Sequence, residues 1–184
     1  MSVEIEKKYR LTESERDRIR LSLGEAGAEF VRRDFEENRI YSSLALRQQG
    51  GVLRIRKTKD RTFLTLKRRV GNDLDVKKQI EHETEVSDAN ALAEIVAGLG
   101  LSPVLIYEKY RDTWRFRSVE VVIDELPFGL YMEVEGTVTG IKEAEILLDL
   151  AGLETEHETY PTLTARLGSK VGDLMEARFE SGDR

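Results

Sequence analysis

The sequence contains no cysteine, which excludes disulfides, thiolate nucleophiles and thiolate metal sites. Histidine is scarce: His82 and His157 are the only two, too few for a histidine-rich metal centre. A metal bound here would be held by oxygen, which favours hard ions such as magnesium, calcium or manganese. No apolar run follows Met1; the chain goes straight into Glu4 and Glu6, and neither a signal peptide nor a membrane span is legible. These absences predict a cytoplasmic protein with no membrane partner. Repeats, low-complexity tracts and Pro/Gly-rich linkers are also missing. Residues 1–184 therefore read as a single domain, with its core over about residues 1–170.

Charge is what the chain has in excess. Charged residues make up 35% of it, against a typical roughly 25%. The 29 basic and 35 acidic residues leave a net charge of −6. Such a mixture carries no global signal for nucleic acid, so no nucleic-acid partner is expected. The placement of the charges has to carry the reading.

Most of the chain alternates with a period of two, as strands do. Eight strands are predicted: Val3–Arg10, Ala28–Tyr41, Val52–Thr58, Thr62–Arg69, Lys78–Val86, Pro103–Arg117, Val119–Asp124 and Leu130–Val138. Turn residues punctuate them at Gln49-Gly50-Gly51, Lys59-Asp60, Gly71-Asn72-Asp73 and Pro127-Phe128-Gly129. Helical patterns interrupt them at Thr12–Ala26, Asp88–Leu99, Lys142–Leu150 and Pro161–Leu167. Thr12 with Glu15 forms a capping-box signature, Gly27 is a stop, and Ser87 is the expected cap of the second helix.

Nearly every strand has one apolar and one charged face, and the charged faces are sorted by sign. Glu4, Glu6 and Lys8 oppose Val3, Ile5 and Tyr9. Arg54 and Arg56 oppose Leu53 and Ile55, and Lys67 opposes Leu64 and Leu66. Glu81, Glu83 and Glu85 share a face; so do Lys109, Arg111, Arg115 and Arg117. Asp124 opposes Val121 and Ile123, and Glu133 and Glu135 oppose Met132 and Val134. The ordinary arrangement would turn the charged faces to water and the apolar faces to a core. Sign segregation argues otherwise, because like charges side by side on a plain solvated face repel. Eight antiparallel strands suffice to close a small barrel. With apolar faces outward beneath amphipathic helices, the charges would point inward. That is costly unless acidic groups coordinate cations and basic groups hold a polyanion.

The stretch VEIEKKY, with Glu4-x-Glu6-x-Lys8, resembles the opening ExExK signature of the CYTH superfamily, the triphosphate tunnel metalloenzymes. That group includes class IV adenylyl cyclases, thiamine triphosphatases and inorganic triphosphatases. The resemblance continues in order through LRIR (Arg54, Arg56), LTLKR (Lys67), EHETEV (Glu83, then Glu85, with Glu81 open by register), EKYR (Lys109, Arg111) and VVIDELPFGLYMEVEG (Asp124, Glu133, Glu135). ExExK alone is a weak signal; six ordered elements on alternating faces are a strong one.

The resemblance implies an α+β fold: an eight-stranded antiparallel closed β-barrel, or tunnel, with amphipathic helices packed outside. It also implies which face points inward, which periodicity alone leaves open. Its implied ligand is a small-molecule triphosphate (inorganic triphosphate, ATP or thiamine triphosphate) bound with Mg2+ or Mn2+, and it raises a homodimer as a candidate assembly. Arg54, Arg56, Lys67, Lys109 and Arg111 are assigned to phosphate, which guanidinium forks and ammonium groups suit. Lys8 joins that wall or handles protons, and Lys8 and Glu6 are the catalytic candidates. Glu4, Glu6, Asp124, Glu133 and Glu135 are the metal candidates; Glu83 and Glu85 rank below them. Three activities compete: hydrolysis of inorganic or organic triphosphate, cyclisation of ATP to cyclic AMP and pyrophosphate, and non-catalytic polyphosphate binding. Hydrolysis ranks first, since no adenine-reading motif is visible. Trp114, Tyr110 and Phe116 read as packing residues, His82 as structural, His157 as solvated, Tyr160 as non-catalytic, and Arg178–Arg184 as a frayed tail.

Overall fold

The computed structural model describes residues 2–70 and 77–180; the turn expected at Gly71-Asn72-Asp73 lies outside the described residues. All eight expected strands form: β1 (Ser2–Leu11), β2 (Glu29–Tyr41), β3 (Gly51–Lys57), β4 (Thr62–Arg69), β5 (Lys77–Val86), β6 (Pro103–Phe116), β7 (Val119–Leu126) and β8 (Gly129–Glu135). They pair in the order β6-β2-β3-β4-β5-β1-β8-β7, and β7 pairs back onto β6. Every neighbouring pair is antiparallel, so the eight strands make a ring. β1 is shared along its length: Ser2–Glu6 pairs β5, and Glu6–Leu11 pairs β8. Glu6 therefore sits where first, fifth and last strands of the ring meet.

Among the described residues five helices accompany the ring: α1 (Glu13–Glu25), α2 (Leu44–Gln48), α3 (Ala89–Gly98), α4 (Val138–Leu147) and α5 (Tyr160–Leu167). The Thr12–Glu15 capping box opens α1 as expected, and Gly27 follows its end with φ +75°. The cap of α3 is Asp88, not Ser87: its carboxylate accepts from the Asn90 and Ala91 amides. α4 begins four residues before the expected start, because the Thr137 hydroxyl accepts from the Gly140 amide, and β8 consequently stops at Glu135. The short α2, capped by Ser43, was not foreseen.

The apolar faces lie outside the ring, under helices. Tyr9, Leu11, Val121, Ile123, Met132 and Val134 bury against Ile19 and Leu23 of α1 and Ile141 and Ala144 of α4. Tyr41 and Ile55 bury under Leu92 and Val96 of α3. Each such aliphatic side chain contributes roughly 1.5–3 kcal/mol when fully buried. With period-two strands, anchoring this face outward turns the charged rows inward.

At one end α5 sets Tyr160 and Leu163 against Ile40, Leu105, Tyr107, Leu126 and Tyr131. Three further strands were not legible: β9 (Glu154–Thr155) pairs β1, and the hairpin β10 (Ser169–Val171) and β11 (Leu174–Ala177) adds in parallel to Leu105–Tyr107 of β6. Gly168 permits this turn: a Cβ there would lie 2.6 Å from the Thr164 carbonyl and 2.7 Å from that of Glu176.

The expected fraying fails for its first residues. Arg178 pairs with Glu37 and Glu108, both at 2.8 Å, and Phe179 lies 5.1 Å from the Tyr110 ring. Glu37 and Glu108 stand opposite one another in the β2–β6 register, and the guanidinium relieves their repulsion. Among the described residues no helix is long and apolar enough to cross a membrane.

Candidate active site

A cavity of about 460 Å3 lies inside the ring, lined by inward rows of all eight ring strands. Its basic residues are Lys8, Arg32, Arg54, Arg56, Lys67, Lys77, Lys109 and Arg111. Its acidic residues are Glu4, Glu6, Glu36, Glu81, Glu83, Glu120, Glu133 and Glu135. Eight basic and eight acidic side chains balance in number, but they are not mixed evenly.

One sector is closely paired. Arg111 grips Asp124 with two parallel bonds, Nε to Oδ1 at 2.7 Å and Nη2 to Oδ2 at 2.6 Å, and reaches Glu133 at 2.7 Å. Lys109 contacts Asp124 at 3.2 Å and Glu36 at 3.5 Å. Lys8 contacts Glu133 at 3.3 Å and donates to the Glu158 carbonyl at 3.1 Å. Burial alone would raise Glu133, yet Lys8, Arg111, Lys109 and Lys77 hold it well below the usual carboxylate range. Glu36 behaves likewise: burial opposes ionisation, and Lys109, Arg111, Arg56 and Arg54 overcome it. Lys109 is pushed down, by burial and by Arg111.

A second sector presents Arg54 and Arg56. Arg56 Nη2 donates to Glu83 at 2.9 and 3.0 Å, and the Thr65 hydroxyl donates to the same carboxylate at 2.7 Å. Glu83 orients the arginine pair; Glu85 does not line the cavity.

The third sector is acidic and incompletely answered. Lys67 bridges Glu4, at 3.0 Å, and Glu81, and Lys77 takes Glu6 at 2.9 Å. Burial, a hydrogen bond with Glu81 and the charge of Glu135 push Glu4 up to about 7, against the pull of Lys67. Burial with Glu120, Glu6 and Glu133 raises Glu135. A hydrogen bond between two carboxyl groups needs a shared proton, so this sector carries more negative charge than its lysines neutralise. In the present arrangement no three such side chains among the described residues converge closely enough to hold an ion. The donor chemistry nevertheless suits a hard divalent cation: oxygen ligands whose mutual repulsion the ion would relieve.

The structure brings together Glu4, Glu6, Lys8, Arg54, Arg56, Lys67, Lys109, Arg111, Glu133 and Glu135, all expected from the sequence. Asp124 touches two of them but does not line the cavity: it is fully buried behind the wall, its oxygens occupied by Arg111, Lys109 and the Tyr160 hydroxyl, the last at 2.7 Å. Arg115 and Arg117 lie on the surface, paired with Glu29 and Glu143. Sequence reasoning did not place Glu36 and Lys77 in the cavity wall, and Tyr160, read as non-catalytic, lines it too. Glu36 is hidden in a strand with two adjacent glutamates, one facing each way, and Tyr160 looks like an ordinary helix-start aromatic.

The chain belongs to the CYTH domain family, whose pattern matches residues 2–161. It is 25% identical over 152 residues, 80% of this chain and 84% of the relative, to a Methanocaldococcus jannaschii protein provisionally named an adenylate cyclase. The PH1012 protein of Pyrococcus horikoshii superposes with a TM-score of 0.75 at 20% identity, covering 87% of this chain and 98% of that one. A Hippeastrum protein, provisionally named an adenylyl cyclase and described as having a dominant triphosphatase activity, superposes with a TM-score of 0.65 at 17% identity. That match covers 94% of this chain and 98% of its counterpart. At these identities the two structural likenesses establish the fold.

Proposed function

We propose that the ring acts as a tunnel in which a triphosphate is bound with divalent metal and hydrolysed, the substrate being inorganic triphosphate or an organic one. The observation that carries this reading is the cavity's charge balance. Eight cations face eight carboxylates, so a polyanion of several charges entering alone would leave the interior strongly negative. Divalent cations bound with it would restore neutrality, and Glu4, Glu6 and Glu135 of the under-neutralised sector, with Glu133 beside them, are the residues that would hold them. Magnesium or manganese there would supply Lewis acidity toward phosphate oxygens.

The chain's own groups do the rest. Arg54, Arg56, Lys67, Lys109 and Arg111 hold and orient the phosphate chain, fixing the terminal phosphorus for attack. Lys8 meets the developing charge on the transferred oxygens. Glu6 takes the proton of the attacking water as its oxygen bonds to phosphorus and the bridging bond breaks. Asp124 holds Arg111 and Lys109 in place from behind. Hydrolysis ranks first, an order the activity of the Hippeastrum neighbour supports, although fold alone does not fix chemistry.

One feature favours a second reading, cyclisation of ATP. Ile40, Val52, Tyr107 and Pro161 give one end of the cavity an apolar wall that a nucleobase could use. The volume lies within the roughly 300–1,000 Å3 of small-molecule sites. A single assay separates the readings. The protein is incubated with ATP, inorganic triphosphate or thiamine triphosphate, each with Mg2+ or Mn2+, and phosphate, pyrophosphate and cyclic AMP are resolved. Orthophosphate supports hydrolysis, cyclic AMP with pyrophosphate supports cyclisation, and tight binding without any product reduces the chain to a binder.

A further inference from the structure

Tyr160 is buried at the α5 end of the cavity, and three contacts tie it to the cationic wall and to Asp124 behind it. The Lys8 ammonium lies 3.9 Å from its ring centroid, and that of Lys109 lies 5.1 Å away. Its hydroxyl donates to Asp124 Oδ2 at 2.7 Å, the oxygen that also accepts from Arg111 and Lys109. The ring itself is held on both flanks, with Tyr107 at 6.1 Å and Tyr131 at 5.6 Å. Its backbone is fixed by the Thr159 cap, by Pro161 and by the Thr164 hydroxyl, which donates to the Tyr160 carbonyl at 2.8 Å.

Two cations of the same cavity thus share one aromatic ring. Like charges in one buried site repel, and each costs desolvation. A ring quadrupole offsets part of both, without the full negative charge that would compete with phosphate for the lysines. A carboxylate in that place would neutralise Lys8 and Lys109; an aliphatic side chain would let them move apart.

The geometry points to Tyr160 as a positioning residue: its ring sets the directions of Lys8 and Lys109 toward the bound phosphate chain, and its hydroxyl fixes Asp124 beneath Arg111. This role rests on the triphosphate reading of the site, and it reaches the phosphate through other side chains, not by contact. It also gives α5 a task beyond packing at one end of the ring, because the Glu158 carbonyl just before the helix takes a bond from the same Lys8 ammonium.

The test uses Tyr160→Phe and Tyr160→Leu in the full chain. Phenylalanine keeps the ring, so triphosphate affinity stays within about threefold of wild type; leucine removes both cation–π contacts and weakens binding about tenfold or more. A role confined to helix packing predicts a different pattern, with lowered Tm in both variants and unchanged affinity in the folded protein, and that pattern overturns the proposal. A second readout needs neither substrate nor variant at Tyr160. An ammonium seated over a ring carries ring-current-shifted ε-methylene protons, so lysine-selective NMR should show an upfield ε-methylene signal that disappears in Lys8→Arg. Ordinary shifts for Lys8 in the wild-type protein refute the positioning even if triphosphate proves to be the ligand. An upfield signal with no triphosphate binding leaves the positioning standing and rejects the triphosphate reading instead.

Discussion

The two flanks of the cavity differ in how completely their charges are answered. Around Asp124 every ion has a partner: Arg111 is doubly bonded, Lys109 is enclosed, and Glu133 is held ionised by surrounding cations. Around Glu4 the carboxyl groups outnumber their lysines, and one is pushed up to about 7. The first flank is preorganised, its geometry fixed before any ligand arrives. The second is poised to gain a cation. The contrast teaches that one ring can offer a finished anion site and an unfinished cation site, and that titration behaviour separates them where residue type does not.

The severest way to break this comparison is to neutralise a carboxylate on each flank. Glu133→Gln and Glu4→Gln should each lower turnover on the order of a hundredfold or more while circular dichroism shows the fold retained. Wild-type turnover in either variant removes that residue from the metal assignment. A smaller effect is expected from Arg56→Ala, which should raise the Michaelis constant about tenfold through loss of a charge-assisted phosphate bond. An unchanged constant and rate would take Arg56 out of the site.

The acidic flank also makes a prediction about pH. Glu4 has a folded-state pKa of about 7 against an ordinary 4.5, so the fold binds its proton more tightly than the unfolded chain does. Its stabilising contribution is therefore complete below the ordinary value and is lost as pH rises through about 7. Metal-free wild type should lose more Tm between about pH 5 and about pH 8 than Glu4→Gln does. Equal losses in the two proteins would show that Glu4 is not held protonated. Smallest of all, Arg115→Ala should change stability by less than about 0.5 kcal/mol and leave activity untouched, because the Arg115–Glu29 pair is largely exposed.

Much of this was legible in the sequence, for a specific reason. Strands such as Glu4–Tyr9 and Leu130–Glu135 alternate cleanly, so both their existence and their two faces could be read from period two. Which face turned inward could not, since that depends on α1 and α4 covering the apolar rows, a tertiary fact. β2 shows the limit: its run of arginines, aspartate and glutamates does not alternate by polarity. Glu36 and Glu37 look equivalent, yet the first enters the cavity and the second meets Arg178 outside. Short pieces such as α2 and β9 carry too few residues to show any period. The hairpin β10–β11 depends on a close approach at Gly168 that no pattern announces.

The helix α5 begins within the span shared with the family and finishes beyond it, since the match stops at Pro161 and the helix runs to Leu167. A chain shortened to the shared span would keep the tyrosine but lose the leucine, the glycine turn and the added hairpin that seat it. It would also remove the Arg178 guanidinium that bridges Glu37 and Glu108. Residues 162–180 would then matter to chemistry they never touch, much as a door depends on its frame.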